Sequence, residues 1–193
     1  EVLRQPLEDA KVVISRTSHS VTYPAKFMLL AAMNPCPCGH YPDMNRCRCT
    51  PAQVMQYLGR ISQPLLDRLD LCAEVSPVDF EGLSSGRKGE STQTIRERVI
   101  CAQDIQRERY KIEGIQFNGE LSGAQIEKYC KMEKDARQLL KMAFQNMPFS
   151  ARAYHRILKV ARTIADMEAT ESIHRHHIAE ALSYRAFDKK YWN

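Results

Sequence analysis

Apolar residues change their spacing near residue 90 of this 193-residue chain, and that change sets what it can fold into. Ahead of it they come in short runs. Phe27 to Met33 (FMLLAAM) has no polar alternation and is bounded by Pro24 and Asn34-Pro35, the pattern of a strand buried on both faces of a parallel sheet. Leu69 to Val75 reads as a second such strand. Lys11–Ser15 (KVVIS) and Ser20–Tyr23 (SVTY), joined by a turn over 16–19, predict a β-hairpin. Residues 1–9 read as the end of a helix, and Thr50-Pro51 as the N-cap and first residue of a helix reaching about Leu58. Beyond residue 91 the spacing is helical: apolar residues fall at 95, 99, 102 and 105 with charges between them. Further helices are expected from Ser122, over Glu133–Gln145, over Ser150–Glu168 and over Ile173–Phe187, giving a bundle with short connections. Glu81–Glu90 (EGLSSGRKGE) separates the two patterns and reads as a linker. The predicted class is α/β plus all-α: a first domain over 1–80, a linker over 81–92 and a helical domain over 93–193.

Composition narrows the function classes. Hydrophobic residues make up 44%, enough for a core, but the longest apolar stretch is far too short to cross a bilayer, so no membrane partner is expected. The net charge of +5 permits nucleic-acid contact without demanding it. There is no signal peptide and no initiator Met, so the chain is expected to be an excised fragment of a cytoplasmic protein.

Seven cysteines, an odd number without a secretory signal, argue against a disulfide scaffold. Four lie within fourteen residues as Cys36-Pro-Cys38-Gly and Cys47-Arg-Cys49. Two close thiolate pairs on a small loop can supply the tetrahedral sulfur set that Zn2+ favours, with Gly39 allowing a tight turn. Free surface thiols, disulfides formed on purification and a ligand swap with His40 are the alternatives. Cys72, Cys101 and Cys130, scattered through periodic segments, read as small core residues.

Four polar residues stand at segment boundaries. Asn34 follows the first apolar run, where ligands of open α/β sheets sit; it can orient a water or a phosphate oxygen, or serve as a turn residue before Pro35. Arg68, in PLLDRLD, and Arg60 carry guanidinium groups suited to phosphate, though Asp67 or Asp70 can pair with Arg68 instead. Arg152 sits in the first turn of the Ser150 helix, facing a phosphate or solvent.

Taken in order, Leu3–Asp9 (LRQPLED), Leu30–Gly39 (LAAMNPCPCG), Arg60–Leu71 (RISQPLLDRLDL) and Ser150–Asp166 (SARAYHRILKVARTIAD) resemble the magnesium-chelatase-like AAA+ ATPases of the ComM/YifB type. The resemblance covers nearly the whole chain. It implies the C-terminal part of an AAA+ αβα sandwich followed by a helical lid. By it Asn34 matches sensor 1, Arg68 the arginine finger that completes a neighbouring subunit's ATP site, Arg60 a second residue at that interface, and Arg152 sensor 2. The Cys36, Cys38, Cys47 and Cys49 insert matches that branch, and the hairpin resembles one lining the ring's pore, with Arg16 and His19 as DNA contacts. Gln63 stands where the family pattern has Gly.

The resemblance implies a hexameric ring that uses ATP and Mg2+ and acts on DNA, in branch migration or as a helicase during recombination in natural transformation. No G-x-x-x-x-G-K-[ST] and no hydrophobic-run-Asp-Glu strand occur in the sequence, so this segment by itself is expected not to hydrolyse ATP. A chelatase or protein-remodelling subunit, and a non-catalytic zinc-containing nucleic-acid module, are the rival readings.

Overall fold

Serine and threonine caps set where the helices begin. In the computed structural model, which describes residues 2–17, 19–76, 78, 80, 84, 86, 89–147, 149–185 and 191, Thr50 caps α2 (Pro51–Leu58) through a capping box: its hydroxyl accepts from the Gln53 N–H, and Gln53 accepts from the Thr50 N–H. Ser91 opens the helix Thr92–Arg109, Ser122 the helix Gly123–Tyr129 and Ser150 the helix Ala151–Met167. The remaining helices are α1 (Arg4–Asp9), α3 (Gln63–Leu66), Lys134–Asn146 and Arg175–Ser183. In chain order those after α3 are α4 (Thr92–Arg109), α5 (Gly123–Tyr129), α6 (Lys134–Asn146), α7 (Ala151–Met167) and α8 (Arg175–Ser183).

The chain divides into two compact units, Glu1–Leu69 with Phe187–Asn193, and Asp70–Ala186. Most of the expected linker core, residues 81–83, 85, 87 and 88, lies outside the described residues.

In the first unit β1 (Lys11–Arg16) and β2 (His19–Pro24) form an antiparallel hairpin whose register runs from Lys11 opposite Pro24 to Arg16 opposite His19. It is the only sheet among the described residues. The two buried strands expected at 27–33 and 69–75 are not formed. Phe27–Met33 makes no backbone hydrogen bond among the described residues, and Met28 and Leu30 are 92% and 91% exposed. In the second segment the Cys72 N–H bonds the Tyr184 carbonyl, but no ladder follows, and Leu71 and Val75 are exposed. A strand is completed only by a neighbour that takes its N–H and C=O groups, and neither segment has one here.

The second unit buries the apolar stripe of α7: Ile157, Leu158, Ala161 and Ala165, against Leu121, Ile126, Leu140 and Ile178. Ile173 bridges the chain at Met132, where its N–H and C=O meet Lys131 and Glu133. Cys130 is buried in this core as expected; Cys101 is not a core residue but exposed on α4, and Cys72 is half-buried.

A polar network interrupts the same apolar stripe. Asp166 is buried and receives two hydrogen bonds from Arg109, one of them 2.9 Å, one from Arg162 Nε at 3.1 Å and one from Asn118 Nδ2 at 2.8 Å. Arg162, also buried, spends its other nitrogens on the carbonyls of Thr170 and Glu171. Removing the carboxylate strands two guanidinium groups, so Asp166→Ala is expected to lower the unfolding free energy by about 3–5 kcal/mol. Urea denaturation checks this; a loss below about 1 kcal/mol, the level of an exposed pair, refutes it.

A second ion pair makes stability pH-dependent. Glu113 accepts from Lys128 Nζ and Tyr129 Oη, both at 2.6 Å, and from Gln125 Nε2 at 3.0 Å. Those bonds, Lys128 first, hold its carboxyl down at about 2. A depressed carboxylate contributes stability above its unfolded value near 4.5 and loses it as pH falls toward 2. Thermal melts between pH 5 and pH 2.5 should therefore drop less steeply in Glu113→Gln than in the parent chain; parallel curves refute this role.

Candidate functional site

The cysteine-rich loop is built by two turns and closed by a helix. Gly39, at φ +82°, takes the left-handed conformation that lets its N–H reach the Cys36 carbonyl at 3.0 Å. Asp43 starts the second turn: its carbonyl accepts from Arg46 and Cys47, at 3.1 and 2.7 Å, and its side chain from the Asn45 N–H. The capped start of α2 follows Cys49 directly, and Val54 and Leu58 of that helix pack with fully buried Cys36.

These turns bring Cys36, Cys38, Cys47 and Cys49 together, with their sulfurs all within 4.8 Å of one another. Cys36 Sγ lies 3.4 Å from Cys38 Sγ and 3.8 Å from Cys47 Sγ, and Cys38 and Cys47 are 3.6 Å apart. All four are free thiols. Four sulfurs at zinc bond length occupy a tetrahedron with edges of about 3.8 Å, so the spacing fits a single Zn2+ and is far too long for a disulfide. His40 is not part of the set.

Backbone amides prepare part of the cluster for negative charge. The N–H groups of His40 and Arg48 bring Cys38 down to about 6, helped by Cys36 and Cys49. Burial works against Cys36, but the N–H groups of Tyr41, at 3.4 Å, His40 and Cys38 outweigh it and its thiol is lowered too. Cys49 moves the other way, to about 12: the Cys38 amide lowers it, but burial, the Cys38 and Cys36 sulfurs and the charge on Cys36 win. Cys47 is raised in the same fashion, against the Cys49 amide. Two sulfurs are thus shifted toward the thiolate and two away from it, and a central cation is what would favour the thiolate at all four.

A second group, Glu168 with His176 and His177, lies in the other unit. Its geometry is that of a cap rather than a metal centre. The His174 N–H donates to Nδ1 of buried His177 at 3.0 Å, which leaves the ring proton on Nε2, aimed at Glu168 Oε2 2.9 Å away. That nitrogen has no lone pair to offer.

The remaining sequence-predicted residues are dispersed. Asn34 is exposed at the start of the cysteine loop. Arg60 is exposed just beyond α2, its guanidinium 5.7 Å from the Tyr57 ring centre. The Arg68 side chain is only 13% exposed; it donates to the Pro64 carbonyl at 2.5 Å and pairs with Glu8 of α1, not with Asp67 or Asp70. Its Nε is buried without a hydrogen bond. Asp70 pairs with Arg156 instead. Among the described residues no hydrogen bond or ion pair joins Asn34, Arg60 and Arg68 to one another. Arg152 is exposed on the first turn of α7, in the other unit. Arg16 and His19 face each other as the last pair of the hairpin, both exposed.

Comparison with known proteins places these features. Residues 1–83 match the family model for magnesium chelatase subunit ChlI, and residues 89–185 the model for the C-terminal region of that subunit. The chain belongs to the magnesium chelatase ChlI family. Within that family it is 46% identical to the YifB protein of Salmonella typhimurium over 98% of its own length and 37% of that protein's. It is 43% identical to the competence protein ComM of Haemophilus influenzae over 96% of its length and 36% of that protein's, and 42% to YifB of Escherichia coli, over 98% and 37%. The chain therefore spans a little over a third of these relatives. No helix among its described residues is long and apolar enough to cross a membrane.

Several contributors were not singled out by the sequence, although Glu8 and Asp166 lie within segments that carry the family resemblance. Glu8, the partner of Arg68, lies 60 positions away with nothing local to mark it. Tyr41 and Tyr191, which pack on the cysteine cluster, carry no spacing signal either. Asp166 was detectable in principle: a carboxylate four residues after Arg162 on an apolar helix face demands a buried partner.

Proposed function

We propose that this chain is a segment of a ComM/YifB-type AAA+ ATPase that works as a ring, of six subunits in the family pattern, on DNA in the cytoplasm. The observation that supports it most is the ordered match of both halves to the ChlI family, together with 43% identity to ComM. On this reading segments 27–33 and 69–75 are strands of an αβα sandwich whose neighbours come from the rest of a longer protein. The exposed apolar side chains of Met28, Leu30, Leu71 and Val75 are what such a sheet would cover.

Bound ATP and Mg2+ supply the scissile phosphate and its charge neutralisation. This chain has no phosphate-gripping loop and contributes the accessory groups. Asn34, at the end of the segment that this reading makes a strand, would orient the attacking water. Arg152 offers its guanidinium from a helix start, and Arg60 and Arg68 donate to phosphate oxygens across a subunit boundary. Arg60 is exposed, which suits a borrowed residue; Arg68 would first have to exchange Glu8 for phosphate. The hairpin, exposed on both faces and carrying Arg16 and His19 at its end, suits contact with the DNA backbone.

DNA-stimulated ATPase assays of the longer protein test the motor. Arg60→Ala or Arg68→Ala is expected to cut turnover by about 10³-fold while leaving nucleotide binding in place. Wild-type turnover in both variants removes the borrowed arginine, and a longer protein with no ATPase activity removes the motor altogether.

We also propose that Cys36, Cys38, Cys47 and Cys49 hold one structural Zn2+. Elemental analysis should find a single zinc ion per chain, lost on Cys36→Ser and on Cys49→Ser, and cobalt substitution should give the absorption of a tetrahedral thiolate site. Metal-free protein whose four thiols titrate freely in zinc-replete buffer sinks this assignment.

A further inference from the structure

A cleft of about 250 Å3 opens on the second unit between α4, the short 3-10 turn Asn118–Glu120 and α7. Val99, Ala102, Phe117 and Met167 form its apolar walls. Val99, Phe117 and Met167 are exposed, and so is Ile95, one turn before Val99 on the same face of α4. Gln106 also lines the cleft, although the residue is only 4% exposed. Its Oε1 accepts from the Asn118 N–H at 3.0 Å, which fixes which end of the amide carries the donors. Among the described residues its Nε2 has no hydrogen-bond partner, and it is not sealed in by protein, so it opens toward the cleft. Thr163 beside it is already engaged: Oγ1 donates to the Lys159 carbonyl and accepts from Asn118 Nδ2, both at 2.9 Å. A buried donor left unmade is costly and calls for an acceptor from outside.

Charge at the edge of the cleft is mainly positive. Arg96, exposed on α4 one turn before Val99, makes no ion pair among the described residues. Lys159, one turn before Thr163 on α7, donates to the carbonyl of Gly119, another lining residue, at 2.8 Å. The neighbouring carboxylates are occupied: Asp104 by Arg107, Glu97 by Gln93, Glu120 by the Gln116 N–H and Glu168 by His176 and His177.

We infer that this cleft docks an acidic peptide segment of a partner protein, which lodges one large apolar side chain between Val99, Phe117 and Met167 and sets a main-chain carbonyl on Gln106 Nε2. The volume lies below the range of about 300–1,000 Å3 that drug-sized ligands occupy, and suits a single side chain. Met167 can adapt its thioether to the shape of that side chain. A peptide carries all the complementary features in one stretch: the apolar group, a carbonyl beside it, and flanking carboxylates to face Arg96 and Lys159. None of the residues proposed above to meet nucleotide, zinc or DNA takes part, so the site stands apart from those functions.

Two-dimensional 1H–15N NMR of the 193-residue chain tests the inference with blocked synthetic pentapeptides. The probe has a central Phe with two Glu on each side; the controls have central Ala, or Lys in place of Glu, and N-acetylphenylalanine amide stands for a free small molecule. The Glu-flanked Phe peptide should shift the Gln106 side-chain amide and the backbone signals of Val99, Phe117 and Met167, and should bind about tenfold more tightly than any control. Gln106→Glu keeps the acceptor for the Asn118 N–H and removes the donor; Val99→Asp changes an exposed position and leaves the core alone. Each should weaken binding about tenfold, and Val99→Asp carries the test should Gln106→Glu disturb the fold. Equal affinity for the Phe and Ala peptides overturns the lodged side chain, and equal affinity for Glu and Lys flanks overturns the acidic partner. Equal affinity for the free amide makes the cleft a small-molecule site instead. Shifts at the same residues on concentrating the chain alone would give the face to a second copy and overturn the partner. Absence of saturable shifts with probe up to about 2 mM, or unchanged binding in Val99→Asp, overturns the site itself.

Discussion

Four sulfurs gathered within 4.8 Å of one another are the constraint around which the first unit is arranged, because its interior is small: among the described residues its hydrophobic cluster buries Cys36, Val54 and Leu58, with Pro6 and Leu66 buried besides. A core of that size does not offset the entropy of ordering a loop rich in Pro, Gly and Asn. The sulfurs also conflict with one another. Backbone amides favour charge on Cys38 and Cys36, whereas burial first, then the Cys38 and Cys36 sulfurs and the charge on Cys36, push Cys47 and Cys49 the other way. On the proposed zinc assignment a divalent cation would turn the conflict into attraction; the turns at Gly39 and Asp43 converge the sulfurs, and the capping box at Thr50 fixes the exit of the loop.

The second unit solves the same problem in the opposite way. Its interior is apolar and large, and buried Asn118, Arg162, Asp166 and His177 all find hydrogen-bond partners within it. Arg162 is the clearest case: one nitrogen meets Asp166 and two meet the carbonyls of Thr170 and Glu171, so a buried cation ties down the connection that follows α7. His177 performs a similar task at the next helix, taking the His174 N–H on one side of its ring and giving a proton to Glu168 on the other. Neither arrangement needs a ligand, which is why the Glu168–His176–His177 group, close enough for a metal, reads as architecture.

What the sequence revealed follows the range of the forces involved. Caps are local, so Thr50 marked a helix start that the structure places at the next residue, and the helices expected from Ser122 and Ser150 likewise open one residue on. Hairpin pairing is nearly local, and the 11–23 segment was legible for that reason. The cysteine cluster was legible because its ligands lie within fourteen residues. The run at 27–33 misled because apolar continuity records only that a segment is to be covered. Whether it becomes a strand depends on a neighbour that the segment does not encode. The pairings of Arg68 with Glu8 and of Arg109 with Asp166 span about 60 positions, where composition and periodicity carry no information.

Arg68 shows how such a long-range pairing bears on the proposed motor. A guanidinium intended for a phosphate across a subunit boundary is expensive to leave half-buried and unpaired whenever that phosphate is absent. Glu8 removes the cost by holding the charge within the same unit, and the Pro64 carbonyl holds the second edge. Phosphate, with more charge and a matching bidentate edge, competes for the same nitrogens, so binding a neighbour's nucleotide would free Glu8 and loosen α1 from the Arg68 turn. Arg60, exposed and stacked on Tyr57, carries no such coupling. On the proposed reading the two arginines would differ: use of exposed Arg60 would break no ion pair of its own unit, whereas use of Arg68 would be felt at α1, which leads directly into the hairpin.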